Sequence, residues 1–299
     1  MFKKILVVFV ILLGLSLRLY KIKNPVADWH SFRQADTASV TREFVKHGVN
    51  LLVPTYQDHS NIQSGKDNPH GYRMVEFPVY NLLHYGLYQL NPSMGIDLAG
   101  RLTSVLLSLL SILFVFLIGD KLSGFFAGWL AALFYAVLPF SIYYSRAILP
   151  EPLMIVTILG SYWYLIKMSE SLGSKKIIYL LASSVLLAIS ILVKPFALFF
   201  ALPHLAIVFR SLAKREINLT SFILYLTLAI TPFILWRQHI LLYPDGIPAS
   251  DWLINSSGIR FRPAWFRWLF SERLAKLILG SYGTIFLCLG LIAKPSKEG

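Results

Sequence analysis

The sequence predicts an all-α polytopic membrane protein of about eight transmembrane helices, with a large external loop after the first. Three observations predict it. Hydrophobic residues make up 56% of the 299 residues and charged residues only 14%, against about 25% charged in soluble chains. The mean hydropathy is +0.61. The apolar residues fall in unbroken runs close to the roughly 20 residues that cross a bilayer as helix. Length alone would suggest two soluble domains. The runs suggest one membrane domain instead: a first helix (1–22), an external loop with amphipathic helices (23–97) and the remaining helices and loops (98–293).

The first run, Ile5 to Leu19, follows Lys3 and Lys4. No small-x-small cleavage site follows it before Tyr20-Lys21-Ile22-Lys23-Asn24-Pro25, so an uncleaved anchor is expected. Arg18 near its end is expected to snorkel to the interface. The next segment, 23 to 97, is the longest polar stretch and holds five of the seven histidines. Within it Gln34 to His47 has helical character, and Phe77 to Leu90 is aromatic and amphipathic, as suits a helix lying in the interface. Asp58 to Asn68 reads as loop.

Further apolar runs cover about 100–118, 124–144, 152–166, 177–193, 196–209, 219–236 and 274–293. Those on either side of Lys194-Pro195 are expected to be short helices meeting at the outer surface. Trp252, Trp265 and Trp268 read as an interfacial belt. With the N-terminus inside, the short inner connections carry Lys3, Lys4, Lys121, Lys167, Lys175, Lys176, Arg210, Lys214, Arg215, Lys294 and Lys297, as the positive-inside rule asks. The loop near 237–276 runs against the rule, with Arg237, Arg260, Arg262, Arg267, Arg273 and Lys276, and is read as an anion-binding surface. The long loop after the first helix then lies outside.

The net charge is +13 and the isoelectric point about 9.8. The basic residues are scattered between apolar runs, which argues for membrane lipid and an anionic substrate and against nucleic acid. One cysteine, Cys288, sits in an apolar run, so there is no disulfide framework. No G-x-x-x-x-G-K phosphate loop is present, which disfavours a nucleotide-driven motor. Asp58, His59, His70 and Glu76 have no recognised metal spacing. No metal site is assigned, and a divalent metal is left open as a cofactor.

Three polar clusters can carry chemistry. In Asp28-Trp-His-Ser-Phe-Arg-Gln-Ala-Asp-Thr-Ala38, Asp36 stands at the membrane boundary. It is either a general base beside an acceptor or a helix cap or solvated acid. In Tyr143-Tyr-Ser-Arg-Ala-Ile-Leu-Pro-Glu-Pro152, Pro150 and Pro152 stop a continuous helix. Arg146 there either holds a phosphate or pairs with Glu151. Lys194, between two apolar runs, either has a partner or ligand or snorkels.

The order of these features resembles the GT-C glycosyltransferases, specifically the bacterial relatives of protein O-mannosyltransferases and aminoarabinose transferases (glycosyltransferase family 39-like). The resemblance rests on Phe32-Arg-Gln-Ala-Asp-Thr-Ala38, Glu76-Phe-Pro-Val-Tyr80, Gly100-Arg-Leu102, Ser145-Arg-Ala-Ile-Leu-Pro-Glu-Pro152 and Lys194-Pro195. It covers about residues 5–210. Many members carry Asp-Glu where this chain has Asp36-Thr37, and many are longer.

The resemblance implies inverting sugar transfer from a polyprenyl-phosphate-linked donor to a glycan, lipid or protein acceptor on the outer membrane face. Asp36 is then the catalytic base. Arg33, Glu76, Arg101, Arg146, Glu151 and Lys194 bind substrate, with Arg146 and Lys194, helped by Arg101, on the departing phosphate. Asp36, Arg146, Glu151 and Lys194 are expected to converge. Two other classes stay open: a transporter or lipid flippase, and a non-catalytic assembly subunit. The apolar runs are nearly free of the ionisable residues that a translocation path needs.

Overall fold

A computed structural model describes residues 2–249, 255 and 257–292. Trp252, Lys294 and Lys297 lie outside the described residues. Those described form an all-helical bundle with no strand; the nearest approach to one is an isolated bridge between Thr55 and Tyr72. Helix is the expected outcome for apolar segments in lipid, because it satisfies every backbone group internally.

The first helix, α1 (Phe2–Leu19), packs on α4 (Ile96–Ser123) and α5 (Phe125–Val137). Between α1 and α4 lie α2 (Ser31–His47) and α3 (Val79–Leu90). After α5 come the short α6 (Pro139–Tyr144), then α7 (Glu151–Ser169), α8 (Ser174–Val193), α9 (Ala197–Ala213) and α10 (Leu219–His239). The last part holds α11 (Pro263–Arg267), a π-helix (Trp268–Ile278) and α12 (Gly280–Ile292).

Among the described residues three helices are long and apolar enough to cross a membrane: α4, α8 and Leu219–Leu242, which extends α10. A fourth counts if the pair Pro263–Ile278 and Gly280–Ile292, bent by 108°, is one span. The sequence runs suggested about eight. The difference has physical causes: α1 carries Lys3, Lys4 and Arg18 within 18 residues, and α5 and α9 are 13 and 17 residues long.

Alternation places the described connections between the main helices at two ends. One end carries residues 20–95, 138–150, Lys194 and His239. The other carries Lys3 over the Phe125 ring, Lys121 paired with Glu170, and Lys176 donating to the Glu216 carbonyl. Two chain features set this geometry. Gly128 lets α5 turn back tightly on α4, since a Cβ there would lie 2.4 Å from the Asp120 amide nitrogen. Pro195 pushes Lys194 out of the helical region, to φ −148 and ψ 118, so α8 ends as a full 20-residue helix rather than a short one.

Two cores hold the polar end in place. Ala38, Tyr80, Leu107, Ile148, Leu153, Val156 and Val193 bring α2, α3, α4, α7 and α8 together. Met74, Trp236 and Ile240 seat the loop before α3 on the end of α10.

Arg18 does not snorkel. It is 0% exposed, and its guanidinium donates to Ser108, Ser145 and Ser141 and to the Gly14 and Ala136 carbonyls, at 2.6 to 3.1 Å. It thereby ties α1 to α4, α5, α6 and the turn after α6. His84 does the same between α2, α3 and α4. Its Nδ1 accepts from the Thr41 hydroxyl at 3.0 Å while Nε2 donates to the Ile96 carbonyl at 2.7 Å. Gly100 makes room for it; a Cβ there would lie 2.7 Å from the imidazole.

Two outcomes follow. Arg18→Ala strands three hydroxyls and two carbonyls, so stability should fall by about 3 kcal/mol, read as a lower unfolding midpoint in detergent. An unchanged midpoint would remove Arg18 from this role. Burial pushes the His84 imidazole down from 6.5 to about 4. The unfolded chain therefore binds the extra proton, and the contribution of His84, whole above pH 6.5, is lost as pH falls toward 4. The wild-type midpoint should drop more across that window than that of His84→Gln; parallel curves would refute it.

Candidate functional site

A compact network of acids and bases sits at the polar end, where α2, the loop before α3, the start of α7 and the α8–α9 junction meet. At its centre is the Glu76 carboxylate. It accepts from Arg33 on α2 and from Lys194 Nζ at 2.5 Å. Lys194 also touches Glu151 at 3.1 Å. Lys194 therefore has partners and does not snorkel, and Glu151 holds Lys194 rather than Arg146. Burial pushes the Glu76 carboxyl up, but Lys194 and Arg33, with help from Arg73, outweigh it and hold Glu76 below the usual carboxylate range. One oxygen of Glu151, Oε2, is buried with no hydrogen-bond partner.

Asp36 lies one turn inside α2, past the cap position, which His30 occupies. The helix-cap alternative is thereby set aside. Asp36 Oδ2 accepts from Gln63 Nε2 at 2.8 Å and faces Arg73 at 3.4 Å. Among the described residues Oδ1 makes no hydrogen bond. Arg73 is itself fixed by Gln63 and by the Tyr56 ring, 4.8 Å from its guanidinium carbon. Sequence reasoning missed Gln63 and Arg73. Arg73 stands three residues before Glu76, but nothing in that spacing says that it turns back to Asp36.

Local order around Asp36 comes from Gln34, which is wholly buried. Its amide donates to Asp28 at 2.7 Å and its carbonyl oxygen accepts from the Ile148 amide at 3.1 Å. The loop before α3 is pinned beneath it, with the Phe77 amide on the Leu192 carbonyl at 3.1 Å.

Two expected members are elsewhere. Arg146 donates to the Tyr20 carbonyl and makes no ion pair with Glu151. Arg101 donates to the Ile22 and Pro25 carbonyls and faces Asp28 at 3.8 Å. The structure thus brings together Arg33, Glu76, Glu151 and Lys194, with Asp36 nearby on the Arg33 helix, and leaves out Arg146 and Arg101.

A divalent cation does not suit this donor set: each carboxylate already faces a cation, and Asp36 offers a single site beside Arg73. Among the described residues no three His, Cys, Asp or Glu side chains gather closely enough to hold a metal.

Residues 78–236, more than half of the chain, match the family described as dolichyl-phosphate-mannose-protein mannosyltransferase. No curated protein sequence matches the chain. Among solved structures it is similar to the archaeal oligosaccharyltransferase AglB from Archaeoglobus fulgidus in complex with an inhibitory peptide and a dolichol-phosphate. The TM-score is 0.57 at 13% identity, covering 98% of this chain and 38% of that one. The Archaeoglobus fulgidus oligosaccharyltransferase complex with Zn and sulfate gives 0.54 at 13% identity, covering 96% and 39%. The apo form gives 0.52 at 14% identity, covering 99% and 40%. At such identities the likeness speaks for the fold, and the chain spans 38–40% of the length of those proteins. The motifs, the helical membrane fold and the match over residues 78–236 agree: this chain belongs to the dolichyl-phosphate-mannose-protein mannosyltransferase family, among the GT-C glycosyltransferases.

Proposed function

We propose that the chain transfers a sugar from a polyprenyl-phosphate-linked donor to a hydroxyl of a glycan, lipid or protein acceptor, with inversion, at the outer face of the plasma membrane. The observation that carries this reading is the juxtaposition of Asp36, with one free carboxylate oxygen, and the Arg33–Glu76–Lys194–Glu151 network. A base and a pair of cations at one end of a membrane bundle are what displacement of a lipid phosphate needs. The dolichol-phosphate held by the similar oligosaccharyltransferase supports a lipid-phosphate donor.

In this reading the hydrophobic segments, about eight, lie in the bilayer and residues 23–97 lie outside. The lysines and arginines gathered at the opposite end face the cytoplasm. Asp36 Oδ1 takes the proton from the acceptor hydroxyl as that oxygen attacks the anomeric carbon. The bond from that carbon to the phosphate oxygen breaks, and its electron pair leaves with the lipid phosphate. Lys194 and Arg33 stabilise the charge developing there. They take the role expected of Arg146 and Arg101, whose side chains are engaged elsewhere. Gln63 and Arg73 keep Asp36 in one orientation. Glu151 Oε2, buried and unpartnered, is placed to accept a sugar hydroxyl.

Asp36→Asn should lower transfer about a thousandfold while membrane insertion stays intact, measured with labelled polyprenyl-phosphate sugars in isolated membranes at equal expression. Substantial residual turnover would take the base role from Asp36 and favour an assembly subunit. Lys194→Met should also lower transfer at least about a hundredfold, because it removes a cation from the leaving group. Unchanged turnover with a normal unfolding midpoint would show that Lys194 is only a structural ion pair.

A further inference from the structure

The loop that runs against the positive-inside rule carries cations that the Glu76–Lys194 network does not use. Arg260 and Arg262 lead into the helical stretch Pro263–Ile278, made of α11 and the π-helix, which adds Arg267, Arg273 and Lys276. The next helix, α12, is bent from that stretch by 108°, so the two cannot both run along the membrane normal. α12 has no charged residue. Charge inside the hydrocarbon is costly, so α12 enters the bilayer and Pro263–Ile278 lies across its surface.

Three contacts fix that stretch at the polar end of the bundle. The π-helix packs on α6. The Thr284 hydroxyl donates to the Ala275 carbonyl at 3.3 Å and closes the corner with α12. Gly283 sits against the ring of Phe134, near the end of α5 that leads to α6; a Cβ there would come within 2.9 Å of it.

The charges of the stretch do not balance. Its Glu272 is taken by Lys276 at 2.9 Å. Among the described residues none of Arg260, Arg262, Arg267 and Arg273 has a carboxylate in ion-pair reach. Arg273 lies over the Trp268 ring, 4.6 Å from its centre, while Arg262 and Arg267 are exposed. Phe261, Phe266, Trp268 and Phe270 are exposed beside them. A stretch facing only water would carry the cations without the rings, and one facing only lipid chains the rings without the cations. Rings settle at the boundary between headgroups and chains, and guanidiniums match the phosphates there.

We propose that Arg260 to Ile278 forms an amphipathic surface segment that binds the headgroups of anionic phospholipids at the polar end of the bundle. The exposed rings enter the headgroup boundary, and Arg262 and Arg267 take phosphate oxygens. The bound lipids supply the missing counter-charge and hold the segment against α6. This binding is independent of the transfer chemistry.

The test uses the full-length protein in vesicles of equal parts phosphatidylglycerol and phosphatidylcholine. A trace of one lipid or the other carries a photoreactive headgroup, and labelled residues are mapped by mass spectrometry. Phosphatidylglycerol should label residues 260–278 at least about fivefold more than phosphatidylcholine. Joint Arg262→Gln and Arg267→Gln substitution, at exposed positions, should bring that label down to the phosphatidylcholine level with the unfolding midpoint unchanged. Lys175→Gln, exposed at the opposite end, should leave it as in wild type. Equal labelling of 260–278 by the two lipids overturns the proposal, as does a phosphatidylglycerol label that the double substitution leaves unchanged or lowers no more than Lys175→Gln does.

Discussion

Glu76 is a half-buried carboxylate, and Arg33 and Lys194 converge on it and hold it ionised. Moving such a charge from water costs several kcal/mol, about what good geometry and close counter-charges return. The arrangement therefore makes demands on the fold. α2 must present Arg33 inward, the α8 helix must stop so that Lys194 reaches across, and the loop before α3 must be fixed to α8 through Phe77 and Leu192. Pro195 enforces the stop. The apolar contact of Ala38, Tyr80, Ile148 and Val193 beneath supplies the clamp.

The same network couples fold and chemistry. Lys194 is shared between two carboxylates, so in the proposed transfer a phosphate beside it would meet a cation already oriented rather than a mobile one. Preorganised charge of this kind needs little rearrangement as the leaving group develops. Arg18 serves a different end. It lies among the helices, yet all its contacts are local hydroxyls and carbonyls, which is a way of joining helices rather than a path for a solute.

Much of the fold was legible in hydropathy, because burial in lipid leaves a long apolar run for each helix. The runs at 100–118, 177–193 and 219–236 reappear as α4, α8 and α10. The count of spans was not legible in the same way, since charges such as Lys3, Lys4 and Arg18 and the break at Leu138-Pro139 cut across the runs. Among the candidate site residues, Glu151 and Lys194 stand out in the sequence because each interrupts an apolar or proline-bounded stretch, whereas Glu76 and Arg33 were picked out only by the family resemblance. Their mutual partners were not, as Lys194 and Glu76 are 118 positions apart. Arg146 and Arg101 end instead on backbone carbonyls outside the Glu76 network, a placement that nothing in the sequence marks. Gln63 and Arg73 carried no signal, lying in a polar loop whose path only tertiary contacts decide.

The account centres on where the lipid phosphate sits. A polyprenyl phosphate bearing a photoreactive group at the phosphate end, crosslinked to the protein in membranes and mapped by mass spectrometry, tests that most directly. Crosslinks should fall on the stretches around Arg33 and Asp36, Glu76 and Phe77, Pro150 and Glu151, and Lys194, and free polyprenyl phosphate should compete them away. Crosslinks confined to the opposite end of the bundle, near Lys121, Glu170 and Lys176, would contradict it.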